Sequence, residues 1–218
     1  MMTQLTAADG HVLDCWMVEA NGPRRGGIVI LQEIFGVTDQ LKGVAAMYAV
    51  KGYDVAVPAL FDRHEKDAVI PFDQGARGRD MMLASKPEEC LMDVDSAVKA
   101  LAIKGGRVAV IGFCWGGGLA LRAAQKLDIA AAVAFYGTRL QQYLDSPLKA
   151  PLLGHFGRTD DHVPPEMLAE AQAYLPDMEV HLYDAGHAFV NDARTTYVAE
   201  AAAEAHVRTQ AFLARHVG

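Results

Sequence analysis

The chain has 218 residues, 51% hydrophobic and 22% charged, and Lys+Arg 20 against Asp+Glu 27 gives a net charge of −7. That is enough for one large core, and no linker or repeat marks a second domain, so 1–218 reads as a single unit. A mildly acidic chain without a basic cluster argues against a nucleic-acid or anionic-membrane partner. The three cysteines, Cys15, Cys90 and Cys114, are too sparse and odd for a disulfide framework. No C-x-x-C or H-E-x-x-H spacing suggests a metal site. The N-terminal segment has no basic start and apolar core, and no apolar run reaches membrane-spanning length. These features predict a cytoplasmic protein with reduced thiols.

In chain order, strand character falls at 11–18 and 27–32, a helix at 40–51 and a strand at 54–58. The stretch 61–78 is polar and irregular, and loops of that length often cover a site. A helix at 88–103 follows, then a strand at 107–113, a helix at 117–126 and strands at 129–136 and 151–156. The last elements are a helix at 165–174, a strand at 179–183 and a long helix at 195–216. In that helix Val198, Ala201, Ala202, Ala205, Val207, Phe212 and Leu213 are the expected core contacts. From residue 27 onward the strands are nearly continuous in apolar residues, as in a parallel sheet covered on both faces. Alternating strands and helices predict an α/β doubly wound fold with ligands bound beyond the carboxyl ends of the strands.

The most informative run is Gly112-Phe113-Cys114-Trp115-Gly116-Gly117-Gly118. It closes one predicted strand and opens a helix, which places Cys114 on a G-x-nucleophile-x-G turn with sulfur where a serine oxygen is usual. A buried structural cysteine on a glycine-rich turn is the plainer alternative. A dinucleotide loop fits less well, because the spacing is not G-x-G-x-x-G. A thiol nucleophile needs a base, and the base an orienting acid, in the chain order nucleophile, acid, histidine. Asp160 and Asp161 both lie in the turn after the 151–156 strand, where a helix cap or turn role is the alternative. His187 stands on the loop after the 179–183 strand. His155 lies inside an apolar strand and reads as a core histidine, and His162 is a weaker rival. The expected oxyanion donors are the N–H groups of Trp115 and Ile34. Glu33, at the carboxyl end of the 27–32 strand, is either exposed or faces the site as a proton acceptor.

Gln32-Glu33-Ile34-Phe35-Gly36, Gly112-Phe113-Cys114-Trp115-Gly116-Gly117, Phe135-Tyr136-Gly137, the segment from Gly157 to Pro164 and Gly186-His187-Ala188-Phe189 together resemble the dienelactone hydrolase family. The resemblance spans essentially the whole chain. It implies an α/β-hydrolase fold, with a mostly parallel sheet and helices on both faces, and cofactor-independent opening of a dienelactone ring. It implies the triad Cys114, His187 and Asp160, the acid standing four residues before Pro164. It carries the family's glutamate over to Glu33, which there holds the resting thiol away from the histidine until substrate binds. Well-studied members grip the substrate carboxylate with two arginines. One such position is occupied here by Asn191, leaving open whether Arg194 reaches back, and Arg77 and Arg79 compete for the other. The substrate-binding candidates are therefore Arg77, Arg79, Phe35, Tyr136 and Asn191, and Trp115 either shapes the site mouth or packs beneath it. The expected partner is a small lactone or ester, with no cofactor or metal, and the expected assembly is a monomer or weak homodimer. The alternatives are a carboxylesterase for another small ester or lactone, or a ligand-binding or redox-sensing relative without turnover.

Overall fold

The computed structural model describes residues 1–218. Aliphatic and β-branched runs become fully buried strands at β3 (Gly26–Leu31), β4 (Tyr53–Pro58), β5 (Val108–Phe113), β6 (Ala131–Phe135) and β7 (Leu152–Gly157). β1 (Met2–Thr6), β2 (Val12–Val18) and β8 (Glu179–Tyr183) are less completely covered. The eight strands form one sheet in the order β1-β2-β4-β3-β5-β6-β7-β8. β2 runs antiparallel to β1 and β4, and the remaining pairs are parallel.

Six α-helices cover the sheet: α1 (Asp39–Val50), α2 (Gly75–Ala84), α3 (Pro87–Ala102), α4 (Trp115–Lys126), α5 (Pro165–Tyr174) and α6 (Ala199–His216). Their starts follow local chemistry. Thr38 Oγ1 accepts the Leu41 N–H at 3.2 Å, while Pro87 and Pro165 occupy first turns, where a missing N–H costs nothing. Side chains alternate across each strand, so one strand feeds two cores. Ile28 and Ile30 pack with Tyr48 of α1 and Phe212 of α6 on one face. Val29 and Leu31 pack with Val94 of α3, Leu119 of α4 and Leu168 of α5 on the other. No helix is long and apolar enough to cross a membrane.

Three expectations need correction. The 61–78 stretch is not one irregular loop: 3₁₀ turns lie at Leu60–Arg63 and Phe72–Gln74, and α2 starts at Gly75. β1 was not expected, since only alternate residues of this edge strand are partly covered and Leu5 is its single large inward aliphatic. Helix α6 begins at Ala199, not 195, and Val207 is 66% exposed rather than in the core. At 100° per residue, Val207 lies opposite the buried line of Ala201, Ala205, Phe212 and Leu213.

Candidate active site

β5 lies between β3 and β6, so its carboxyl end opens at the middle of the sheet. Cys114 sits there with φ 53° and ψ −116°, a backbone that L-residues seldom adopt and that costs roughly 1–3 kcal/mol. The surroundings enforce it. The Cys114 N–H donates to Phe135 O at 3.0 Å, and its carbonyl accepts from Gly117 N at 2.9 Å and Thr138 N at 3.1 Å. Strand and helix approach so closely that a Cβ on Gly112 would lie 1.8 Å from Gly116 O. The turn therefore presents the thiol, which is partly exposed, while Cys15 and Cys90 are buried and all three thiols are free.

The loop after β7 carries Asp160, 3% exposed, and the loop after β8 carries His187. His187 Nδ1 lies 2.8 Å from Asp160 Oδ2, and Asp160 Oδ1 accepts the His162 N–H at 2.8 Å. Asp160 thus orients the ring and leaves Nε2 for the thiol side. Burial alone would lower the His187 pKa. The hydrogen bonds and charges of Asp160 and Cys114 outweigh it and raise the value from 6.5 to about 10. Asp161 is exposed, and the His187 ring bonds to Asp160 instead. His162 packs edge-on to His187, with ring centres 4.4 Å apart. His155 is a core residue, held between Tyr183 Oη at 2.8 Å and Thr209 Oγ1 at 2.9 Å.

Glu33 follows β3 and is 7% exposed. Its Oε1 accepts from Tyr136 Oη at 3.0 Å and its Oε2 from Asn191 Nδ2 at 3.1 Å. Burial pushes its pKa up, against the opposing pull of His187, Tyr136, Arg194 and Asn191. Tyr136 is fully buried beside this carboxylate, which holds its phenol well above 10 and keeps it a donor. Both Glu33 carboxylate oxygens are engaged by Tyr136 and Asn191, so a resting thiol tied to Glu33 would share an oxygen already taken.

Ile34 and Trp115 flank the thiol. Trp115 opens α4, and the N–H groups of a first helical turn have no intrahelical acceptor. The Ile34 N–H lies outside the backbone hydrogen-bond ladders. Its loop is clamped from behind by α2, where a Cβ on Gly78 would meet Ile34 O at 2.0 Å. The Trp115 ring stacks on Phe61 at 5.3 Å and is 3% exposed, so it packs beneath the site and does not shape the mouth.

Cys114, His187, Glu33 and Ile34 line a cleft of about 500 Å³. Its walls also carry Arg79, Arg139, Arg194, Phe35, Phe72 and His162. No group of three or more His, Cys, Asp or Glu stands together as a metal-binding set.

The sequence model of the dienelactone hydrolase family matches residues 13–217. The chain belongs to that family. A carboxymethylenebutenolidase of Pseudomonas putida is 32% identical, over 94% of this chain and 92% of its own. Another from Pseudomonas sp. strain P51 is 32% identical, over 88% of this chain and 87% of its own. A crystal structure of a Klebsiella pneumoniae protein provisionally called a dienelactone hydrolase superposes with a TM-score of 0.85. It has 24% identity and covers 99% of both chains, a likeness of fold. As a dienelactone hydrolase family member the chain is a carboxylic ester hydrolase of α/β-hydrolase fold.

Within this dienelactone hydrolase fold, Phe35 and Arg79 line the cleft as expected, but three other substrate-binding candidates do not. Arg77 points away and pairs with Glu65 at 2.6 Å. Its neighbour Arg79 lies two positions further round α2, on the cleft side. Tyr136 and Asn191 lie beneath the cleft floor as supports of Glu33. Arg194, rather than residue 191, lines the cleft. Asn191 Oδ1 accepts the Ala193 N–H at 3.1 Å and Asn191 O accepts the Arg194 N–H at 3.0 Å. That turn folds Arg194 back over the Phe35 and Phe72 rings, at 5.2 and 5.4 Å. The Asn-Asp pair at 191–192 is the sequence signal for it. Arg139 lines the cleft as well, and nothing in its local sequence separates a cleft arginine from a surface one.

Proposed function

We propose that this enzyme hydrolyses a lactone or ester through a Cys114 acyl-enzyme, with dienelactone (4-carboxymethylenebut-2-en-4-olide) as substrate and maleylacetate as product. The observation that carries the reading is the strained Cys114 turn beside the 2.8 Å His187–Asp160 pair, inside a cleft lined by arginines. The proton shared by Cys114 and His187 rests on the His187 ring, whose raised pKa favours the imidazolium, and the sulfur attacks the lactone carbonyl as thiolate. The developing oxyanion lies between the Ile34 and Trp115 N–H groups. Loss of one such donor typically costs about 100- to 1,000-fold in rate. Collapse breaks the ring C–O bond, and the enolate released takes the proton from His187 and tautomerises to the ketone. His187 then removes a proton from water, hydroxide attacks the thioester, and the second carboxylate leaves as the thiol is restored. Arg79 and Arg194 hold the carboxylate already present on the substrate.

That the Pseudomonas relatives are carboxymethylenebutenolidases supports this substrate. The same reading places the enzyme in the cytoplasm, where a thiol nucleophile stays reduced. The test is hydrolysis of cis- and trans-dienelactone, followed by loss of ultraviolet absorbance, for the wild type beside Cys114→Ala. Turnover by the wild type alone is expected. Equal turnover by Cys114→Ala would overturn the nucleophile, and no turnover by either would overturn the substrate.

A further inference from the structure

Seven arginines outside the cleft form ion pairs with carboxylates. Arg79, Arg139 and Arg194 form none, and all three line the cleft of Cys114. Three of the five arginines without an ion pair thus meet in one cleft, while Arg25 lies over Tyr53 and Arg107 donates to His216 O. The carboxylate among the lining residues, Glu33, is occupied by Tyr136 and Asn191. A cleft with cations on its walls focuses positive potential inward and selects anions.

The placement of these cations is the informative part. Sheet order puts Cys114, at the end of β5, between the end of β3 and the end of β6. Arg79 comes from α2, which is clamped on the β3 side through Gly78 and Ile34, and Arg194 lies over Phe35 on that same side. Arg139 comes from the β6 side. The Thr138 N–H donates to Cys114 O at 3.1 Å, and Arg139 follows directly with φ 60°, a left-handed backbone that L-residues seldom take. Its Nε donates to Gln142 Oε1 at 2.9 Å, which steadies the guanidinium and leaves both Nη groups for a ligand. Its neighbour Gln141 is tied to Glu170, an exposed residue of α5. Residues forced into rare backbone states cluster where function needs a side chain aimed.

We infer that the site recognises a substrate with an anionic group on each side of the scissile carbonyl, Arg139 holding one and Arg79 with Arg194 the other. The inference takes its scissile carbonyl from the proposed hydrolase activity. Its chemical class is an ester or lactone carrying two carboxylates; dienelactone, with one, engages Arg79 and Arg194 and leaves Arg139 free.

The test is equilibrium binding by calorimetry to Cys114→Ala protein, which needs no turnover. The ligands are an ester with a carboxylate at both its acyl and alcohol ends, and the two analogues in which either carboxylate is replaced by a carboxamide. The diacid is expected to bind about 10- to 100-fold more tightly than either half-amide, the usual worth of a hydrogen bond to a charged group. Adding Arg139→Gln should erase the preference for one carboxylate, and Arg79→Gln the preference for the other. Arg139→Lys, which keeps the charge, should restore part of the first. Half-amides that bind like the diacid would overturn the inference, as would Arg139→Gln and Arg79→Gln acting on the same carboxylate. Wild-type turnover of the same esters is read separately. Two-sided recognition without turnover would retire the hydrolase reading and uphold the charge recognition.

Discussion

Replacing Asp160 by Asn tests what holds the His187 ring. His187 is raised from 6.5 to about 10, a gap worth about 5 kcal/mol of preference for the protonated ring. Asp160 stands ahead of Cys114 among the groups that raise it, so its removal should forfeit about 2–3 kcal/mol, the range for a hydrogen bond to a charged group. The amide can also turn its N–H₂ toward Nδ1 and select the wrong tautomer, a change that costs a serine triad about 10⁴ in rate. Asp160→Asn should therefore lower kcat/KM by about 10²–10⁴ and move the His187 titration down from about 10, read by NMR of labelled histidine. Because the folded value lies above the unfolded one, the stabilisation is full below pH 6.5 and is lost as pH rises through about 10. The gap in urea stability between wild type and Asp160→Asn should accordingly be wide at pH 6 and narrow by pH 10. A wild-type His187 titrating near 6.5, or a variant within twofold of wild-type turnover, would refute this reasoning.

Tyr136→Phe removes a hydrogen bond that lowers the Glu33 pKa, so the Glu33 carboxyl should rise further and the acid limb of the pH–rate profile should move to higher pH. An unmoved limb would contradict a charged role for Glu33. Gly78→Ala places a methyl group 2.0 Å from Ile34 O, which must push α2 or the loop carrying Ile34 aside. Displacing that loop by about 1 Å should lower kcat by about 100-fold, measured beside a thermal melt that shows the fold intact. Leu101→Ala opens a cavity where α3 packs on β3, at a fully buried position. It should cost about 2–5 kcal/mol in urea unfolding while leaving kcat at 25 °C within a few-fold.

Much of this architecture is legible in the sequence because parallel strands buried on both faces are written as apolar runs. β3, β5, β6 and β7 are such runs, and their order with α4 and α5 places the thiol, acid and histidine at strand ends. The glycines at 112 and 116 mark the turn because no side chain fits between strand and helix there. What escaped has physical reasons too. β1 is an edge strand with one inward aliphatic, and α2 starts on Gly75, carries Gly78 inside it and has no apolar stripe. Both glycines read as loop residues, yet Gly78 is there to let the helix touch the Ile34 carbonyl. The partners of Glu33 come from Tyr136 and Asn191, over a hundred residues away in the chain. No local pattern predicts which of several buried donors a carboxylate will choose. Whether Arg194 reaches the cleft is open in the sequence, because it depends on the turn in which Asn191 O accepts the Arg194 N–H.

The most direct test of a Cys114 acyl-enzyme is peptide mass spectrometry after rapid acid quench of the enzyme during turnover of dienelactone or a slower ester. The account predicts the acyl mass on the peptide carrying Cys114 and on no other. An acyl group on a different residue, or unmodified Cys114 throughout steady turnover, would contradict it.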